Sequence, residues 1–90
     1  MADPVTVLLP EALRRLFPGA PRQAEVTAGT VAEAIAALDR LWPGMADRLC
    51  DSTPAIRRHL NIFVDGERAR LDTPIPPRGE MLVMTWISGG

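Results

Sequence analysis

The sequence predicts a single α+β domain, a roll in which one long helix packs on one face of a mixed sheet of four to five strands. A strong helix signal begins at Thr30, because Thr30-Val31-Ala32-Glu33 fits a capping box. Short apolar runs rich in β-branched residues lie on both sides of that helix. The last run, 81–86, has large apolar side chains on both faces, which is typical of a strand in the middle of a sheet.

Three elements are predicted before the helix. Residues 5–9 form an apolar, β-rich run that Pro10 ends, so they predict a first strand. Residues 12–17 place apolar side chains at helical spacing and predict one or two helical turns, closed by Pro18-Gly19. Residues 23–27 alternate between apolar and polar side chains and predict a second strand, antiparallel to the first.

The helix is predicted to bury one apolar stripe and to end at Pro43-Gly44. The stripe comprises Val31, Ile35, Leu38 and Trp42, and it is widened by Ala34 and Leu41. We expect all of these side chains to face the core. Residues 45–50 predict one more helical turn with Met45 and Leu49 inward, and residues 51–54 predict a surface loop.

The C-terminal third predicts a hairpin followed by the central strand. The first hairpin strand, 60–64, has one face made of Leu60, Ile62 and Val64, and another made of Asn61 and Phe63. Asp65-Gly66 predicts a tight turn because both positions tolerate positive φ, and 67–71 predict the return strand. A proline-rich connection, 72–79, leads to the final strand. There Met81, Val83 and Thr85 should face the helix, and Leu82, Met84 and Trp86 should face away.

Composition limits the classes of function. A chain of 90 residues supports one modest core. The net charge is −1, so no basic surplus favours nucleic-acid binding. The sequence has no long apolar run and no signal-peptide pattern, so we expect a cytoplasmic protein without membrane contact. Because Cys50 and His59 are the only cysteine and histidine, we expect no internal disulfide and no metal site.

The chain ends in Ile87-Ser88-Gly89-Gly90, where the side chains shrink until only backbone is left. Four extended residues reach roughly 13 Å, far enough to deliver a carboxylate into a partner's cleft. Glycine suits a narrow cleft because it lets the backbone approach closely. We therefore predict a folded domain over 1–86 and a flexible working tail over 87–90. The alternative is an inert chain end.

An outward apolar row is predicted just before this tail. It consists of Leu82, Met84 and Trp86, with Phe63 on the neighbouring strand as a candidate fourth member. A patch of this kind marks a binding surface, unless both faces of the sheet are simply covered. Arg57 and Arg58 either contact an acidic partner at the rim of the patch or form a solvated pair.

The layout and the tail together resemble the ThiS/MoaD family of β-grasp, ubiquitin-like sulfur carrier proteins. The resemblance rests on the hairpin 60–67, on Gly79-Glu80 at the entry to the last strand and on the tail 87–90. It spans essentially the whole chain. Within the family, the sequence is most similar to the carrier of mycobacterial-type cysteine biosynthesis, followed by the molybdopterin-synthase small subunits.

The resemblance implies a carrier that is not itself an enzyme and binds no cofactor. A separate ubiquitin-activating-type enzyme would use ATP to form an acyl-adenylate at Gly90, and a sulfur donor would displace AMP to leave a thiocarboxylate. Ile87, Ser88 and Gly89 would lie in the cleft of that partner. A sulfur-accepting synthase would then take the sulfur for cysteine, or for a molybdopterin- or thiamine-type pathway.

Two other functions stay open at this point. The same tail could form isopeptide bonds to lysines of target proteins, which would make the chain a ubiquitin-like modifier. The domain could instead be a ubiquitin-fold interaction module whose tail is inert. The chain contains no lysine, so its own side chains offer no amine to an activated C-terminus.

Overall fold

The computed structural model describes residues 3–53 and 55–85, and within them the chain forms five strands and three helices. Some predictions concern residues outside this part of the chain, namely Pro54 in the surface loop, the outward-facing Trp86, and Ile87, Ser88, Gly89 and Gly90 in the tail. The elements, in chain order, are β1 (Pro4–Leu8), α1 (Glu11–Arg14), β2 (Gln23–Thr27), α2 (Val31–Leu41), α3 (Met45–Leu49), β3 (Leu60–Val64), β4 (Glu67–Arg68) and β5 (Glu80–Thr85).

The strands form one mixed sheet in the order β2-β1-β5-β3-β4. β1 pairs with β2 in the antiparallel sense and with β5 in the parallel sense. β3 pairs with both β5 and β4 in the antiparallel sense. The predicted α+β roll is confirmed, and β5 lies in the middle of the sheet next to the first strand, as its two apolar faces indicated.

Helix α2 packs on one face of this sheet because both surfaces present apolar side chains there. The strands contribute Val5, Val7, Ala24, Val26, Leu60, Ile62, Val64, Met81 and Val83, and the helices contribute Val31, Ala34, Ile35, Ala37, Leu38, Met45 and Leu49. The list confirms that Leu60, Ile62 and Val64 share one face of β3 and that Met81 and Val83 of β5 face α2, as predicted. The inward orientation of Met45 and Leu49 is confirmed as well, since both are fully buried.

The predicted capping box at Thr30 is present, with one difference in its partner. The Thr30 hydroxyl accepts a hydrogen bond from the Glu33 backbone N–H at 3.2 Å. The Glu33 carboxylate reaches back to the N–H of Gly29, at 2.6 Å, one residue further than expected. Both bonds serve the same purpose, because they satisfy backbone donors at a helix start that have no partner inside the helix.

Leu41 was predicted to widen the buried stripe of α2, and this prediction is wrong. Its side chain is 56% exposed, whereas Leu38 on the same helix is fully buried. Leu41 is the last residue of α2, and Trp42, which follows it, packs partly against the core. Helical periodicity gives the direction of a side chain but not where its packing partner ends.

The return strand of the hairpin was predicted over 67–71, but β4 ends at Arg68. The turn itself is as predicted, with positive φ at Asp65 (48°) and Gly66 (88°). After Ala69, whose N–H still donates to the Ile62 carbonyl at 2.8 Å, the chain leaves the sheet and passes the start of α2. There the carbonyls of Leu71 and Thr73 accept from the backbone N–H groups of Ala32 and Val31, at 2.9 and 3.0 Å. The segment caps a helix instead of extending a strand.

Candidate docking face

The face of the sheet that points away from α2 carries a row of side chains from all five strands. In this row Leu8 lies opposite Leu82, and Leu82 lies opposite Phe63. Gln23 flanks Leu8 on one side, and Arg68 flanks Phe63 on the other. The pairing therefore places three large apolar side chains next to one another across the three central strands, between two polar ends.

Met84 extends this apolar row toward the end of β5. It lies opposite Asn61 and is 46% exposed. Toward the start of β5 the same face becomes polar, because Glu80 lies opposite Thr6 and Thr6 lies opposite Glu25. The apolar half of the open face thus lies toward the end of β5, from which the chain continues to Trp86.

We call Leu8, Phe63, Leu82 and Met84 the open-face patch. Three of the four were predicted from the sequence, and the register places them on one surface. Leu82 and Phe63 are half-buried and Met84 is exposed, so β5 is only partly covered on this side. Their role in binding stays a prediction.

Sequence analysis missed Leu8. The alternation within β1 contained its signal, since Val5 and Val7 are buried while Thr6 and Leu8 are half-buried on the other face. That alternation alone does not show that Leu8 neighbours Leu82, because the pairing depends on the parallel contact of β1 with β5. The non-local register brings Leu8 into the patch.

Arg57 and Arg58 differ in their surroundings. The Arg57 side chain donates from Nε to the carbonyl of Asp47 at 2.8 Å, and its backbone N–H donates to the carbonyl of Leu49 at 3.0 Å. Arg57 therefore ties the segment before β3 to α3. Arg58 is exposed and lies beside Asn61 and Arg68 in a groove at the outer edge of β3.

The polar chemistry of the described residues does not suggest a catalytic centre. Burial raises the pKa of the Cys50 thiol, and the neighbouring Asp51 carboxylate raises it further, against the opposing effect of Arg57. The thiol is therefore protonated at neutral pH and is a poor nucleophile. Residues 3–53 and 55–85 contain no group of three or more histidine, cysteine or carboxylate side chains that could hold a metal ion.

Comparison with known structures shows close similarity of fold. CysO from Amycolatopsis orientalis, in its complex with BexX, has a TM-score of 0.85 and 24% identity, covering 96% of this chain and 99% of its own. CysO from Mycobacterium tuberculosis has a TM-score of 0.82 and 25% identity, covering 92% and 99%. SAMP1 from Haloferax volcanii, a small archaeal modifier protein, has a TM-score of 0.81 and 23% identity, covering 98% and 100%.

These neighbours define the class of fold. The chain has the β-grasp fold of ubiquitin-like carrier and modifier proteins, and it resembles CysO and the archaeal modifier over nearly its full length. No protein-family model and no curated protein matches the sequence itself. None of the helices within the described residues is both long and apolar enough to span a membrane.

Proposed function

We propose that this protein is a sulfur carrier whose Gly90 carboxylate is activated by a separate enzyme and converted to a thiocarboxylate. One observation carries the proposal: a fold that matches two CysO proteins over more than nine-tenths of the chain is followed by Gly89-Gly90 shortly after its central strand. In this proposal residues 1–86 form the domain that partners recognise. Residues 87–90 form the segment that enters the active site of a partner.

The chemistry follows from the nature of a C-terminal carboxylate. Such a group has a pKa near 3.5, so at neutral pH it is ionised and accepts nucleophiles very poorly. One carboxylate oxygen attacks the α-phosphorus of ATP and pyrophosphate leaves, which gives an acyl-adenylate. A sulfide-level sulfur donor then attacks the acyl carbon and AMP leaves, so that a thiocarboxylate replaces the carboxylate.

The contribution of this chain is positioning. Met81 and Val83 of β5 are fully buried, and β5 itself lies between β1 and β3 in the sheet. The strand is therefore a fixed base for the residues that follow it. A reactive group held on such a base reaches its partner in a defined geometry, which lowers the entropic cost of the reaction. ATP is consumed by the activating enzyme, and the carrier itself binds no cofactor. Because activation needs ATP, we propose that the protein works in the cytoplasm.

The open-face patch supplies a docking surface for the partner. Its apolar side chains lie at the end of β5 from which the tail continues, so one enzyme can hold the patch and the tail together. Large apolar side chains in the centre of an interface commonly dominate the binding energy. The Amycolatopsis CysO was crystallised in a complex with BexX, which supports a protein partner for this fold. A sulfur-accepting synthase is the second partner in this scheme.

Intact mass spectrometry of the protein purified from its own cells tests this proposal. A carrier that ends at Gly90 shows, beside the unmodified mass, a second species in which sulfur has replaced one oxygen. Treatment with an alkylating reagent selective for thiocarboxylates should shift only the second species. A chain that never carries this substitution, under conditions that demand biosynthetic sulfur, would contradict the proposal.

The similarity to an archaeal modifier protein favours a second function, conjugation to other proteins. In that case the activated Gly90 forms an isopeptide bond with a lysine of a target. Immunoprecipitation under denaturing conditions distinguishes the two functions. Covalent high-mass adducts whose target lysines carry the peptide 79–90 after trypsin, which cleaves after Arg78, indicate a modifier, and a free protein bearing sulfur indicates a carrier.

A further inference from the structure

The outer edge of β3 is only partly covered. β4 pairs with Phe63 and Val64 alone, and one further bond joins the Ala69 N–H to the Ile62 carbonyl at 2.8 Å. In an antiparallel ladder the N–H and the C=O of one residue point to the same side. The Ile62 N–H therefore also points to this edge. The Leu60 N–H on this side donates to the Arg57 carbonyl at 3.0 Å, so within the described chain the Leu60 C=O and the Ile62 N–H are the two backbone groups of this edge that lack a partner.

Two segments of the chain, 55–58 and 68–72, flank this edge of β3 and form a groove, and we call them its two arms. The first arm, 55–58, is fixed by the bonds from the Arg57 N–H to Leu49 and from the Asp51 N–H to the Ala55 carbonyl. The second arm, 68–72, is fixed where it caps α2. The half-buried apolar side chains of Ile56 and Leu71 belong to the two walls. Because backbone hydrogen bonds hold both arms, the fold itself fixes the shape of the groove.

The groove is strongly basic. Its lining contains four arginines, Arg57, Arg58, Arg68 and Arg70, and a single carboxylate, Asp72. Asp72 lies 3.9 Å from Arg70, and both side chains are more than 80% exposed, so this pair cancels little of the charge. The concentration of positive charge contrasts with the net charge of −1 of the whole chain.

We propose that this groove binds an extended acidic segment of a partner protein, whose main chain bonds to the Leu60 C=O and the Ile62 N–H at the edge of β3. The strand edge selects a peptide, because main-chain hydrogen bonds require alternating N–H and C=O groups in an extended chain. The arginines select acidic side chains and speed the encounter. A segment that bonds to both of these groups places three of its residues, about 10 Å of extended chain, along the edge.

The groove adjoins the open-face patch, since Asn61 lines the groove and lies opposite Met84 in the sheet. A partner seated on the patch can therefore reach the groove with an acidic loop or terminus. This inference does not depend on the chemistry of Gly90. A failure of sulfur transfer would leave it intact, and the peptide experiment below tests it separately.

The test is an NMR titration of the full chain with a blocked hexapeptide of alternating aspartate and valine. The expected result is that amide shifts change along 60–62 and 69–71, that hydrogen exchange of the Ile62 amide slows, and that added salt weakens binding. Two control peptides separate the contributions. Asparagine in place of aspartate should weaken binding at least about tenfold. Methylation of every backbone nitrogen should abolish it, although the charges are kept.

Protein variants provide the matched comparison. Arg58→Glu combined with Arg70→Glu should abolish peptide binding without changing the fold, because both side chains are exposed. Arg40→Glu alters an exposed arginine on α2 and should leave binding nearly unchanged. The proposal is overturned if the N-methylated peptide binds as well as the parent, if the shifts map to Leu82 and Met84, or if no shifts occur at low salt.

Discussion

Gly79 shows how one residue at the entry to β5 is fixed by its surroundings. Its N–H donates to the carbonyl of Pro76 at 2.8 Å, and its own carbonyl accepts from Thr6 at 2.9 Å. A Cβ at this position would lie 2.8 Å from the Pro76 carbonyl oxygen and 3.1 Å from Cγ2 of Ile75. Glycine is required because the backbone of a tight turn occupies the space of a side chain.

We predict that Gly79→Ala destabilises the fold by about 1 to 3 kcal/mol, through overpacking against that backbone. Gly29→Ala is the matched control. Its new Cβ would lie 3.1 Å from the end of the Glu33 side chain, which can shift by a few tenths of an ångström and keep its bond to the residue 29 N–H, so the loss should stay under about 0.5 kcal/mol. Urea unfolding of both variants measures the difference, and equal losses would refute this account of Gly79.

Asp51 organises the loop that follows α3 and makes stability depend on pH. Its carboxylate accepts hydrogen bonds from the Thr53 hydroxyl, from the Thr53 N–H at 2.9 Å and from the Ala55 N–H at 3.0 Å. The side-chain bond from Thr53 is the largest cause that lowers the pKa of Asp51 below its ordinary value, and the backbone bonds and Arg57 add to it.

A carboxylate with a lowered folded pKa stabilises the fold at any pH above its unfolded pKa, near 4, and this stabilisation is lost as pH falls through the folded pKa. We therefore predict that Asp51→Asn is less stable than the parent at neutral pH, and that the difference shrinks on acidification. Unfolding midpoints across a pH series measure it. A difference that is the same at every pH would show that the charge of Asp51 has no part in it.

Among the elements, α2 shows which features a sequence reveals and which it does not. Its capping box could be predicted because Thr30 and Glu33 are three residues apart, and its buried stripe could be predicted because periodicity is local. The early end of β4 could not, because Leu71 and Thr73 are drawn to the start of α2 from far along the chain. In the same way, the alternation of side chains along β3 and β5 predicted that Leu82 and Phe63 are neighbours on the open face. It could not predict Leu8, whose place in the patch depends on the register of β1 against β5.

The corrected position of Leu41 gives a test at the level of the helix. Leu38→Ala should cost about 2 to 5 kcal/mol, since it removes a fully buried side chain between α2 and the sheet. Leu41→Ala deletes the same atoms from a side chain that is 56% exposed, and it should cost under about 0.5 kcal/mol. Chemical denaturation compares the two. Similar losses would mean that α2 packs on the sheet through a different face.

At the scale of the whole molecule, the proposed function assigns docking to the open-face patch and reactivity to the C-terminus. We predict that Met84→Ala weakens association with the activating enzyme by about tenfold or more, because it removes an apolar anchor from the patch. Leu16→Ala is the matched control, since Leu16 is similarly exposed at 51% but lies outside the sheet. Binding titrations of both folded variants decide the matter. A larger effect at Leu16 would place the docking surface near α1.

In the proposed function the reactive atom belongs to Gly90, and the folded body only presents it. The most direct measurement is the intact mass of the parent and of a variant that lacks Gly90, after each is incubated with the activating enzyme, ATP and a sulfur donor, alongside the thermal midpoint of each protein. We expect replacement of one oxygen by sulfur in the parent alone, with equal thermal midpoints. A variant that still gains sulfur without Gly90 would contradict it.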